Sequence, residues 1–102
     1  MDINSCPVGL DELKRHLRIF DDMVDSDLQM LLFAAVEYIQ NFTLINFEKD
    51  YPAGNIPFAL RAAILMTAGR LFETPADAVF NLPTQAMDLA NSYKRWERVK
   101  LT

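Results

Sequence analysis

The chain is poor in the residues on which most catalytic and metal chemistry depends: 102 residues hold one cysteine, one histidine and three glycines. A single cysteine, Cys6, excludes an internal disulfide and any zinc site built on several thiolates, and fits a reducing cytoplasm. The one histidine, His16, falls on the exposed flank of a helical stretch, and nothing in the spacing sets Cys6 beside it. An inert thiol and a solvated imidazole are the simpler reading than a nucleophilic pair. Glycines at 9, 54 and 69 are too scattered for a phosphate-cradling loop. No apolar run approaches the roughly 18 residues of a membrane span, the longest being Met30–Val36 and Ala62–Ala68. Asp2 and Asn4 stand where the basic region of a signal peptide would be, and no apolar region follows. Together these scarcities predict a chain without catalytic residues, metal or cofactor, and outside the membrane.

What is abundant is apolar and acidic. Hydrophobic residues make up 51%, enough for a core and too many for a disordered chain. The length predicts a single domain over residues 1–102. The net charge is −4, unevenly spread. Residues 1–50 carry 4 basic and 10 acidic side chains, and residues 51–102 carry 6 and 4. An acidic chain is poorly suited to gripping DNA by its phosphates. Its polarity suggests that opposite ends face different neighbours.

Hydrophobic periodicity predicts four helices. The first runs from about Leu10 to Arg18, with Gly9 as N-cap and Leu10, Leu13 and Leu17 on one stripe. After an acidic turn the second runs from Ser26 to about Phe42, opened by a capping box of Ser26 and Gln29. Its apolar surface, with Met30 and Phe33 beside the main stripe, is broad enough for a neighbouring subunit to cover one side. Thr43 to Asn55 shows no clear period, and loose alternation at Ile45, Phe47 and Tyr51 suggests a short extended piece. So long a loop is more often functional or mobile than idle. The third helix starts at Pro57 and ends near Glu73, before Pro75. Its Leu60, Ile64, Ala68 and Leu71 form a stripe, and its small residues Ala62, Ala63, Ala68 and Gly69 let another helix approach. The fourth spans Pro83 to about Tyr93, and Arg98–Thr102 alternates as an edge strand would. The expected fold is all-α: four compact helices, a long loop between the second and third, and a short strand or extended tail at the C-terminus.

Two charged clusters are candidate sites. Asp21, Asp22, Asp25 and Asp27 resemble calcium ligands in number only. Counting from Asp21, Ser26 falls where an EF-hand loop needs glycine and Leu32 where it needs glutamate. An acidic turn favouring the start of the next helix is the simpler reading. The tail mixes Lys94, Arg95 and Arg98 with Tyr93 and Trp96. It could stack on nucleic acid, dock on a protein partner, or end as a solvated helix terminus.

The order of these segments resembles the phage head–tail connector family, also called head-completion or adaptor proteins. The resemblance is carried by Leu10, Leu13, Lys14, Leu17, Arg18 and Ile19, then the turn Asp21–Asp27, then Ala34, Ala35, Tyr38 and Ile39. Ile56 to Pro75 looks like the family's proline-started helix, and Leu82–Pro83 like the start of its closing helix. Glu73-Thr74-Pro75 departs from the Asn-Arg-like turn often found there. The resemblance implies a structural virion protein, made in the host cytoplasm and placed at the head–tail junction. It implies a ring of about a dozen copies beneath the portal protein. Double-stranded DNA would pass through without sequence-specific binding, and one face would receive the next head-completion or tail protein. On that reading Asn46, Glu48, Lys49, Asp50 and Tyr51 are channel or inter-ring candidates. Tyr93, Lys94, Arg95, Trp96 and Arg98 are candidates for docking on the portal or another partner. Met30, Phe33, Phe58 and Met66 are candidates for subunit contact. The rival reading is a small helical DNA-binding or DNA-packaging factor, which would want a basic recognition helix that none of the four clearly supplies.

Overall fold

The computed structural model describes residues 6–52, 54–74, 78 and 80–99. The elements in order are α1 (Leu10–Leu17), α2 (Asp25–Thr43), the single turn α3 (Phe47–Asp50), α4 (Phe58–Glu73) and α5 (Thr84–Asn91). A 3-10 turn, Trp96–Arg98, follows. Among the described residues there is no strand. Arg98 lies in the 3-10 turn and Val99 is extended, while the rest of the expected edge strand, residues 100–102, lies outside the described residues.

The core forms where α2 and α4 pack. Leu28, Leu32, Ala35, Val36 and Ile39 of α2 are fully buried, as are Leu60, Ala63, Ile64 and Ala68 of α4. These are the predicted stripes at helical spacing. The alanines keep the interface thin enough for the larger side chains of the opposite helix to interdigitate. α1 packs on the same pair through Leu13, and α5 through Ala86 and Ala90. Gly69 lies against the end of α1, where an added Cβ would meet Leu17 Cδ2 at 3.4 Å. Two buried threonines satisfy themselves, Thr43 donating to the Ile39 carbonyl (2.7 Å) and Thr67 to that of Ala63 (2.8 Å). Neither therefore leaves an unpaired polar group in the core.

Helix ends depart from expectation in instructive ways. α2 begins at Asp25, one residue before the predicted cap, with no side-chain cap at all. Gln29 Oε1 is buried without a partner among the described residues, so the capping box does not form. Lys14 accounts for the shift. Its ammonium binds Asp25 at 2.8 Å and Asp22 at 2.9 Å, holding Asp25 inside the first turn. There its charge also favours the helix N-terminus. These two carboxylates raise the Lys14 pKa well above the ordinary lysine value. α4 ends at Glu73 with Thr74 extended, as Pro75 dictates. α5 is shorter than predicted, stopping at Asn91, so Tyr93 already belongs to the tail.

Packing of this kind fixes which apolar residues matter for stability. Leu60→Ala should cost about 2–5 kcal/mol. In calorimetry that appears as a fall of roughly 4–8 °C in Tm for each kcal/mol. Phe58→Ala, two residues earlier but 88% exposed, should stay within about 0.5 kcal/mol of the parent. Equal losses at both positions would contradict this description of the core.

Candidate functional site

Residues 44–50 are not the unstructured loop that their lack of period suggests. Leu44 ends α2 in the left-handed region (φ 62°), and Ile45 turns inward and is buried. Asn46 then caps α3: its side chain accepts from the Lys49 N–H at 3.1 Å, while Asp50 Oδ2 accepts from the Asn46 N–H at 2.9 Å. The amides of Lys49 and Asn46 are thereby satisfied. Phe47 plugs the core beside Tyr51, and its N–H donates to Gln40 Oε1 at 3.0 Å. Phe47 therefore belongs to a helical turn and not to an extended piece.

The tail folds back over this turn. The Arg95 N–H donates to the Thr43 carbonyl at 2.7 Å. Arg98 grips Asp50 with both ends of its fork, Nη1 to Oδ2 at 2.7 Å and Nη2 to Oδ1 at 2.9 Å. The same Nη1 donates to the Leu44 carbonyl at 2.9 Å. Bidentate arginine–carboxylate pairing adds geometric specificity to the attraction. Arg98, the Asn46 amide and nearby Arg95 hold the Asp50 carboxyl well below the usual carboxylate range. Lys94 lies over two rings, 4.6 Å from the centre of Trp96 and 5.2 Å from that of Phe42. The Trp96 ring remains 61% exposed.

The channel-loop and docking candidates are thus one surface. Asn46, Glu48 and Lys49 are exposed on it, whereas Asp50 and Tyr51 are half-buried and hold it together. Tyr93 packs against the core, Lys94 and Arg95 are half-buried, and Trp96 and Arg98 are exposed. The Asp50–Arg98 pair, 48 residues apart, had no signature in the sequence. α3 had one, the Asn46 cap, but a single turn carries no periodicity.

The subunit-contact candidates are scattered. Met30 is 71% exposed on α2 and Phe58 is exposed at the start of α4; Phe33 is half-buried. Met66 is partly buried and lines a cleft of about 380 Å³ with His16, Leu17, Arg18 and Arg70. Sequence reading missed Phe20 and Met23 in the acidic turn, 87% and 89% exposed. Two large apolar side chains within four residues of aspartates were the signal available.

Cys6 is half-buried, its Sγ donating to the Val8 carbonyl at 3.2 Å, and burial raises its pKa. That is the environment of a structural thiol. Among the described residues, no group of three or more His, Cys, Asp or Glu side chains is placed to hold a metal ion. Nor is any described helix long and apolar enough to cross a membrane.

Residues 8–94 match the family model described as phage gp6-like head-tail connector protein. Neither the curated proteins nor the solved structures contain a match to the chain.

The tail clamp makes a prediction with a definite sign in pH. A carboxylate whose folded pKa is lowered contributes stability above its unfolded value, about 3.9, and loses it as pH falls through the lower folded one. Amide exchange at Arg95 should therefore stay protected from neutral pH down to about pH 4, beyond the intrinsic pH dependence, and rise only in stronger acid. In Asp50→Asn the same amide should exchange at least about tenfold faster at neutral pH, with the amides of α2 and α4 unchanged. Equal protection in parent and variant would show that the pair does not hold the tail.

Proposed function

The chain belongs to the phage gp6-like head-tail connector family, and from that premise we propose how it serves the junction between phage head and tail. The role is structural, carried by surfaces and not by a reaction. Copies of the chain, each acting as one domain over its 102 residues, close into a ring of about a dozen subunits. The ring sits beneath the portal protein, extends the DNA channel, and offers its other face to the next head-completion or tail protein. Made in the host cytoplasm, the chain ends in the virion at the head–tail junction.

The α3–tail surface is the docking face for the portal, and the observation that carries this is the state of its charges. Arg98 is engaged by Asp50, and Lys94 lies against two aromatic rings. Half-buried Arg95 has no ion pair among the described residues. With Arg98 paired with a carboxylate and Lys94 held against rings, the tail is a weakened grip for phosphates. What remains open is an exposed indole on a clamped support, beside the exposed Glu48 and Lys49. Aromatic anchors on rigid ground beside polar rims are the usual centres of protein–protein contacts. DNA, in turn, passes a chain of net charge −4 without sticking to it.

Titration calorimetry with purified portal protein tests this reading. Wild type should bind, and Trp96→Ala should weaken binding by about thirtyfold while leaving helicity unchanged. Undiminished binding by the variant would move the docking face elsewhere. A gel shift of duplex DNA by wild type, with steep salt dependence and no portal binding, would favour the DNA-binding alternative.

A further inference from the structure

Two surfaces outside the α3–tail face are unaccounted for, and their chemistries are complementary. The first is the turn between α1 and α2, residues 19–24. Phe20 and Met23 stand almost wholly in solvent there, flanked by Asp21 and Asp22. Asp21 Oδ1 accepts from the Met23 N–H at 3.1 Å, and Lys14 ties Asp22 and Asp25 to α1. The turn is therefore a shaped knob. Exposed Asp27 and Met30 extend it along α2 at helical spacing. Large apolar side chains gathered at full exposure mark a contact more often than single ones do.

The second surface is the cleft of about 380 Å³ where the end of α1 meets α4. Its lining is basic at His16, Arg18 and Arg70 and apolar at Leu17, Met66 and Pro83. Glu73 also borders it. Among the described residues neither Arg18 nor Arg70 has an ion-pair partner. Arg18 is moreover a left-handed C-cap (φ 60°), a position where glycine is commonest. The volume falls at the low end of the range of small-molecule pockets, about 300–1,000 Å³, which is room for a large side chain.

We propose that the knob of one copy seats in the cleft of another, Phe20 and Met23 meeting Leu17, Met66 and Pro83 while Asp21 and Asp27 meet Arg18 and Arg70. The contact rests on the ring reading above and names where the subunits join. A second copy fits better than DNA does. The phosphates of a duplex lying over the cleft would have no use for its apolar floor of Leu17, Met66 and Pro83, whereas a knob carrying both apolar and acidic side chains matches both halves of the lining. Knob and cleft are different surfaces and each copy carries one of each, so copies join head to tail and can close in a cycle. Two of the subunit-contact candidates fall on opposite halves of the contact, Met30 beside the knob and Met66 in the cleft.

Charge reversal with complementation tests the contact. Asp21→Lys/Asp27→Lys makes the knob basic, and Arg18→Glu/Arg70→Glu makes the cleft acidic. None of these four residues forms an internal ion pair among the described residues. In sedimentation velocity, wild type should self-associate, and each variant alone should associate about a hundredfold more weakly. An equimolar mixture should recover association, because every contact in an alternating assembly then joins opposite charges. Circular dichroism of each variant checks folding, and recovery in the mixture excludes a folding defect. Variants that assemble as well as wild type would overturn this contact and leave the ring intact. Loss in both variants without recovery in the mixture would overturn the pairing of these two surfaces. A wild type that stays monomeric at high concentration, alone and with portal, would overturn the ring as well.

Discussion

The close packing of α2 on α4 is the constraint on which the rest depends. It buries nine apolar side chains completely, from Leu28 to Ile39 on one helix and from Leu60 to Ala68 on the other. Alanines at 35, 63 and 68 decide how near the helices come. α1 packs on both helices, its Leu17 lying against Gly69 of α4. A larger residue at 69 would press on the end of α1 and on the cleft that Leu17 and Arg18 help to form. Local stability and the shape of a surface are thus set by the same few small residues.

Outside this core the chain is closed by ion pairs, each joining parts that packing alone leaves apart. Arg61 of α4 donates to Glu12 of α1 and to the Pro7 carbonyl, tying down the approach to α1. Lys14 sets the start of α2 and the shape of the knob. Arg98 brings the tail onto α3. Single exposed pairs contribute little to stability. Their effect here is positional, because each fixes a connecting segment that carries an exposed surface.

The helices were legible in the sequence because they bury one stripe each, and Leu60, Ile64 and Ala68 repeat at the spacing such a stripe requires. Pro75 and Pro83 announced two boundaries correctly for reasons of backbone sterics. What could not be read was of two kinds. α3 is a single turn, too short for a period, and it is held by Gln40 of α2 and by Arg98, 48 residues from its partner Asp50. The start of α2 was misplaced because Lys14, in the preceding helix, overrides the local capping signal of Ser26. Both surfaces of interest lay in this illegible part. The proposed docking face is made by segments 48 residues apart, and the cleft by α1, α4 and the approach to α5. Family resemblance supplied the role; only the fold shows which residues share a face.

In the proposed role, the chain must present different faces to different neighbours while leaving a channel indifferent to DNA. On that proposal the two demands fall on separate parts of its surface. Its clamped tail carries one exposed aromatic, its acidic knob and basic cleft lie elsewhere, and its overall charge repels phosphates. Electron cryo-microscopy of the neck of the phage particle that encodes it tests the central claim most directly. The account predicts a ring of this helical fold between portal and tail, with Trp96 against the portal and the knob of each subunit in its neighbour's cleft. A neck in which no density fits the α2–α4 core, or a ring joined through other faces with the tail turned away from the portal, would contradict it.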